Sequence, residues 1–370
     1  MGIVRRASVV AAVGAAPIGL AYRFALAYRA RAGYPRRRAP IATPADLGLP
    51  FETALVPVDG LELPAWFIPA RSGAAGPGVV LVHGWESGRD RTLPMAQFLH
   101  AAGFHCLTFD VRGHGENIPE TLPISGGEFG RDALGAFEAL LARPEVTVGA
   151  ISGHSMGAIG AILAGAADPR VAAVVATSGP ADPLRLTRQT FRLARLPIPD
   201  PVAYPLAWLT TRVYLRPRGH RPATISSIRA AGEYRGPLML AHGDEDAVIP
   251  FGHFERLLAA ARSARANDDS AGPLVDLPIV GGHHSWLYEF PTYRRTVAAF
   301  LTRALGGPYA PDEAAERAAA VPAERLPEDE TAFHAVSRGS GTRVLVQVAL
   351  PGSTRPEHGA TALPEPEGGV

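Results

Sequence analysis

Residues 146–163 read VTVGAISGHSMGAIGAIL. A β-branched run leads into a serine set between glycines, and a run of small residues follows. That order predicts a buried strand, a sharp turn at Ser155, and a helix with a small near face (Gly157, Gly160, Ala161, Ala164). A serine on such a turn takes a strained backbone conformation. Gly153 and Gly157 must then lack side chains to clear the adjacent strand and helix, and His154 supports the turn from between them. The hydroxyl would project above the sheet at a helix N-terminus, where the Met156 N–H and the helix dipole can stabilise negative charge. In a chain with 40 glycines the pentapeptide alone says little. Its position between strand and helix carries the inference.

Outward from this stretch the pattern repeats. TALVPV and LELPAWFIP are β-type runs joined by Asp59-Gly60, a two-residue hairpin signal. VVLV (79–82) reads as a buried strand ending at His83-Gly84, and LPMAQFLHAAG as a helix stopped by Gly103. FHCLTF closes at Asp110, and GRDALGAFEALLARP precedes the opening stretch. AVVAT, LMLAH and LVDLPIV are further buried strands, with a last helix at YRRTVAAFLTRAL. Apolar runs alternating with helical segments predict an α/β class: a mostly parallel sheet covered on both faces, with the leading hairpin as an antiparallel edge. Residues 181–236 break the rhythm with Pro, Arg and aromatics (Phe191, Tyr204, Trp208, Tyr214). RLTRQTFRLARL and YPLAWLTTRVYL within them read as short amphipathic helices, expected to form a lid over a substrate pocket.

A serine hydroxyl is a poor nucleophile at neutral pH and needs a base held by a third group. LMLAHGDEDAVIP ends a strand in a turn with Asp244 and Asp246, and LPIVGGHHSWLYEFP runs a strand into His283 and His284. Asp182, beyond AVVAT, is a third candidate acid. Each lies past the carboxyl end of a predicted strand, the edge where open α/β sheets bind ligands. Serine, then acid, then histidine is the chain order this architecture uses.

Across roughly residues 50–305 the chain resembles the α/β-hydrolase superfamily. VLVHGW, FDVRGHGEN, GHSMG, and HGDEDAVIP with GGHHSWLYEFPTYRRTVAAFL carry the resemblance in order. Within the superfamily it is most similar to lidded serine hydrolases: serine aminopeptidases, monoacylglycerol lipases and carboxylesterases. The resemblance implies hydrolysis of an ester or related acyl bond through an acyl-enzyme, without a cofactor. The family's H-G-x-x-D pattern implies Asp246 as the acid, with Asp244 a turn former. Its spacing to the proline of the last helix implies His284, seven residues before Pro291, as the base, with His283 in reserve. It also implies the Trp85 N–H as a second oxyanion donor, with His83 and Gly84 shaping that loop. His114 and Arg112 are expected to hold a turn. A non-catalytic ligand-binding protein, an acyltransferase and a cofactor-free haloperoxidase are alternatives that would keep the same residues.

Composition narrows the rest. All 36 basic residues are Arg, which excludes lysine Schiff-base chemistry. The single Cys106 excludes an internal disulfide framework and a multi-Cys zinc site, and its apolar run points to a structural thiol. The histidines show no metal-binding spacing, so no metal is expected. A net charge of +1 gives no field for nucleic acid. The resemblance implies a small acyl compound as partner, and the apolar, aromatic lid favours a hydrophobic one.

The chain divides into three parts: a leader at 1–40 with eight Arg and no acid, a hydrolase-like body at 41–305, and a tail at 306–370. ASVVAAVGAAPIGLAY (7–22) is apolar but short for a spanning helix unless extended through FALAY. A membrane anchor or surface helix through residues 1–38, a soluble helix or disordered leader, and a cleaved signal all remain open, so location, cytoplasmic or membrane-associated, is not fixed. The tail begins with PYAPDEAAERAAAVPAERLPEDE, expected to be disordered or a short helix. TRVLVQVAL reads as an added strand and STRPEHGATALPEPEGGV as a flexible end.

Overall fold

In the computed structural model, residues 2–266, 268–322 and 326 are described, with side chains from residue 16 onward. The TRVLVQVAL and STRPEHGATALPEPEGGV expectations lie outside the described residues.

Eight strands form one sheet: β1 (Glu52–Val58), β2 (Leu61–Ile68), β3 (Gly76–Val82), β4 (His105–Phe109), β5 (Val146–His154), β6 (Val171–Thr177), β7 (Leu238–Gly243) and β8 (Leu274–Ile279). Their spatial order is β1-β2-β4-β3-β5-β6-β7-β8. β1 and β2 pair antiparallel with each other, β2 runs antiparallel to β4, and the remaining pairs are parallel. Asp59 and Gly60 both take positive φ, 50° and 78°, the twist that a two-residue turn between right-twisted strands requires.

Parallel strands need crossovers, and the helices that make them cover both faces. On one face α3 (Gly126–Leu141), α4 (Met156–Ala167), α7 (Ser227–Glu233) and α8 (Gly252–Arg265) close a core containing Phe129, Phe137, Ile151, Ile162 and Leu257. On the other, α2 (Leu93–Ala101), α9 (Pro291–Leu305) and α10 (Pro311–Ala319) cover Leu81, Phe98, Val175, Tyr293 and Leu301. Cys106 is buried in this second core, and burial raises its thiol pKa far above the ordinary value.

The structured body extends past residue 305. Ala314 and Ala318, one helical turn apart, are fully buried, and the Arg294 guanidinium donates to the carbonyls of Ala318 and Ala319. The start of the tail is thus the short helix, docked on α9.

The leader is also helical: α1 spans Gly2–Ala32. Its carboxyl-terminal half packs on the insertion, which contains α5 (Pro183–Leu193) and α6 (Asp200–Leu215) as well as α7. Tyr28 Oη lies 2.8 Å from Thr190 Oγ1, Phe24 meets Phe191 edge-on, and Tyr214 Oη donates to the Ile124 carbonyl with the Ala32 carbonyl 3.1 Å away. His220 Nε2, 2.7 Å from the buried Glu128, ties the end of the insertion to α3. Among the described residues no helix is long and apolar enough to cross a membrane.

Candidate active site

Ser155 follows β5 directly and precedes the first residue of α4. Its φ of 56° and ψ of −116° lie outside the regions that residues with side chains ordinarily adopt. The surrounding chain leaves no room for side chains at the flanking glycines. A Cβ on Gly153 would stand 2.1 Å from the Gly157 carbonyl oxygen, and one on Gly157 would stand 2.2 Å from that of Val82. The Ser155 N–H donates to the Thr177 carbonyl on neighbouring β6, which pins the turn to the sheet edge.

His284 and Asp246 converge on this hydroxyl from the loops after β8 and β7. His284 Nε2 is 3.0 Å from Ser155 Oγ, and His284 Nδ1 is 2.8 Å from Asp246 Oδ2. Because an ionised carboxylate only accepts, Nδ1 carries the proton and Nε2 faces the hydroxyl as an acceptor. All three side chains are buried, with residue exposures of 5% for Ser155, 2% for His284 and 5% for Asp246.

The carboxylate is fully engaged. Oδ1 accepts from the N–H groups of Val248 and Ile249 at 2.9 and 2.8 Å. Oδ2 accepts from His284 and lies 3.2 Å from Nε2 of the buried His242. Burial pushes the Asp246 pKa up, but the neighbouring His284 and the hydrogen bonds from His242 and His284 outweigh it. The acid is held well below the usual carboxylate range. His242 Nε2 also meets the Ile249 carbonyl at 2.7 Å, which requires a hydrogen on that nitrogen. Sequence reasoning passed over His242, although it is the first letter of the same H-G-x-x-D pattern that singled out Asp246.

The alternatives are engaged elsewhere. Asp244 Oδ1 accepts from the Gly281 N–H, closing the turn before the histidines. His283 sits on the rim beside the Glu245 carbonyl at 3.4 Å. Asp182 caps α5, accepting from the Arg185 N–H.

The flanking residues hold the loops. His154 Nε2 donates to the His284 carbonyl at 2.7 Å, so the residue before the serine fixes the backbone of the histidine. His83 Nδ1 donates to the Gly84 carbonyl and its Nε2 accepts from the Val111 N–H. Burial lowers the His83 pKa to about 4. His114, stacked edge-on against His83 and Trp85, is lowered to about 3, also chiefly by burial. Arg112 pairs with Asp132 and Asp59 under the same turn. The loop after β3 passes close over the serine: a Cβ on Gly84 would lie 3.3 Å from that of Ser155.

A cavity of about 90 Å³ opens beside Ser155 and His284. Leu81, Met95, Ser152, Thr177, Leu287 and Tyr293 form part of its wall, together with Trp85 from the β3 loop and Leu326 from the tail. The insertion expected to lie over the pocket contributes none of these lining residues. Its Phe191 and Tyr214 meet α1 instead. Among the described residues no group of three or more His, Cys, Asp or Glu side chains could hold a metal.

Sheet order, serine turn and convergent loops together define an α/β-hydrolase. Residues 75–227 match the family model for serine aminopeptidase, S33. An uncharacterised protein of Mycobacterium tuberculosis is 30% identical over 246 residues, covering 66% of this chain and 76% of that one. Lysophosphatidylserine lipase ABHD12 of Xenopus tropicalis is 27% identical over 235 residues, 61% of this chain and 57% of the lipase. A solved esterase of Pyrococcus furiosus superposes with a TM-score of 0.58 at 22% identity, covering 73% of this chain and 97% of the esterase. The chain belongs to the α/β-hydrolase superfamily.

Proposed function

We propose that this protein hydrolyses carboxylic esters through a Ser155–His284–Asp246 triad. The observation that carries the proposal is the unbroken chain of hydrogen bonds, 3.0 Å from Ser155 to His284 and 2.8 Å from His284 to Asp246.

His284 Nε2 takes the Ser155 proton as Oγ attacks the acyl carbon, and Asp246 stabilises the imidazolium that forms. The carbonyl oxygen becomes an oxyanion facing the N–H groups of Trp85 and Met156, each such donor being worth about 3 kcal/mol of barrier. His284 then returns the proton to the leaving alkoxide, freeing the alcohol and leaving an acyl-serine. Water, deprotonated by the same imidazole, releases the acid and restores the serine. The low pKa of Asp246 serves this cycle, because the acid stays ionised while His284 gains and loses its proton.

The relative named a lipase favours esters over amides. The predominantly apolar wall favours a hydrophobic acyl group. The test is turnover of matched p-nitrophenyl esters and aminoacyl p-nitroanilides by the purified chain. Ester cleavage that exceeds amide cleavage supports the proposal, whereas amide cleavage alone would replace the esterase by a peptidase on the same triad.

A further inference from the structure

Between Ala16 and Leu20 α1 stands clear of the protein body. From Ala16 to Leu20 the helix is apolar and every residue is exposed, Ile18 at 70% and Leu20 at 72%. A helix seated in a protein groove buries one stripe and shows a polar face to water. A segment that is apolar all round calls for an apolar medium that surrounds it.

The helix it packs against continues the same surface. α6 exposes Val202, Tyr204 and Trp208 at 53%, 50% and 50%. Arginines frame both rings, Arg188 4.0 Å over Tyr204 and Arg212 4.2 Å over Trp208. Residues 1–40 carry eight Arg and no acid; of the ten Arg in residues 181–236, Arg185, Arg218, Arg229 and Arg235 pair with Asp182, Glu120, Glu233 and Asp268, while Arg212 is exposed on α6 beside Trp208. Asp200, the acid on α6, is already paired with Arg188 and Arg192. Exposed aromatic and aliphatic side chains set among arginines suit the boundary between acyl chains and anionic headgroups.

We infer that the α1–α6 edge docks on a lipid surface bearing anionic headgroups. Ile18, Leu20, Tyr204 and Trp208 enter the acyl boundary, and the surrounding arginines meet the headgroup phosphates. The inference does not depend on the hydrolase proposal, because binding is read without turnover.

The test is sedimentation of the full chain with vesicles of phosphatidylcholine alone or with phosphatidylglycerol added. The chain is expected to sediment with the anionic vesicles, and less so as salt rises. Replacing Ile18, Leu20, Tyr204 and Trp208 together by Ser should weaken that binding about tenfold or more. All four are exposed, and an unchanged circular dichroism spectrum checks that the variant folds. Arg212→Gln should weaken binding to the anionic vesicles and leave phosphatidylcholine binding as it was. The inference is overturned if the full chain stays in the supernatant with both vesicle types, or if the fourfold Ser variant binds as well as the native chain. It is equally overturned if, without lipid, the chain is a dimer that this variant converts to monomer, since a second copy would then cover the face.

Discussion

His242 Nε2 lies 3.2 Å from Asp246 Oδ2, the same oxygen that accepts from His284. Two imidazoles thus converge on one carboxylate oxygen, while two backbone N–H groups hold the other. The acid is fixed from four sides, and through it the imidazole that faces Ser155.

Removing His242 should therefore slow the reaction without emptying the site. His242→Gln is expected to lower kcat by up to about tenfold with KM nearly unchanged, because the acid loses a donor that its oxygen shares with the Ile249 carbonyl. Asp246→Asn is expected to cost roughly ten-thousandfold. Adding His242→Gln to Asp246→Asn should cost little more, because both act through His284. Steady-state kinetics on the two single variants and the double variant check this. Strict additivity would show that His242 acts elsewhere.

The strained turn makes its glycines irreplaceable. Gly153→Ala and Gly157→Ala each drive a methyl group into a backbone carbonyl, at 2.1 and 2.2 Å, and should cost about 3 kcal/mol or more. Gly19→Ala, inside α1 with no neighbour within 4 Å, is the control and should keep or raise stability, by at most about 1 kcal/mol. Urea midpoints measure all three. Native stability in either turn variant would contradict the packing described.

Stability should fall on the acid side. Burial lowers His83 to about 4, His114 to about 3 and His253 to about 4, while in the unfolded chain each titrates near 6.5. Between those values the unfolded chain holds more protons, so acid favours unfolding. Stability is complete above about pH 6.5 and declines toward pH 4, by about 1.4 kcal/mol per pH unit for each histidine kept neutral. Urea unfolding across this range is the measurement, and a flat profile would contradict the burial of these rings.

Much of this architecture is legible in the sequence, for identifiable reasons. Asp59-Gly60 announces its hairpin because few residue pairs accept two consecutive positive φ values. The strand runs are legible because both sheet faces are covered, leaving continuous apolar stretches. Ser155 is legible because its strain restricts Gly153 and Gly157. Long-range packing is not. The interlocking of Tyr28 with Thr190 and Tyr214 joins segments more than 160 residues apart, and no local pattern encodes it. The approach of Leu326 to the cavity and the docking of α10 through Ala314 and Ala318 are hidden the same way. His242 is a different case. Its pattern is visible, but its contact with Asp246 depends on how the turn after β7 folds back.

The cavity beside Ser155 favours a small acyl group. At about 90 Å³ it is smaller than the roughly 150 Å³ cavity that holds a benzene ring. Among p-nitrophenyl esters, kcat/KM should peak at short acyl chains and decline as they lengthen. A maximum at long chains would contradict this reading of the cavity.

The account rests on Ser155 as the nucleophile, and the most direct measurement is intact-mass analysis after treatment with a fluorophosphonate. The native chain should gain a single adduct, mapped to Ser155, and Ser155→Ala should gain none. A folded native chain that stays unlabelled, or a Ser155→Ala variant labelled as fully as the native chain, would contradict it.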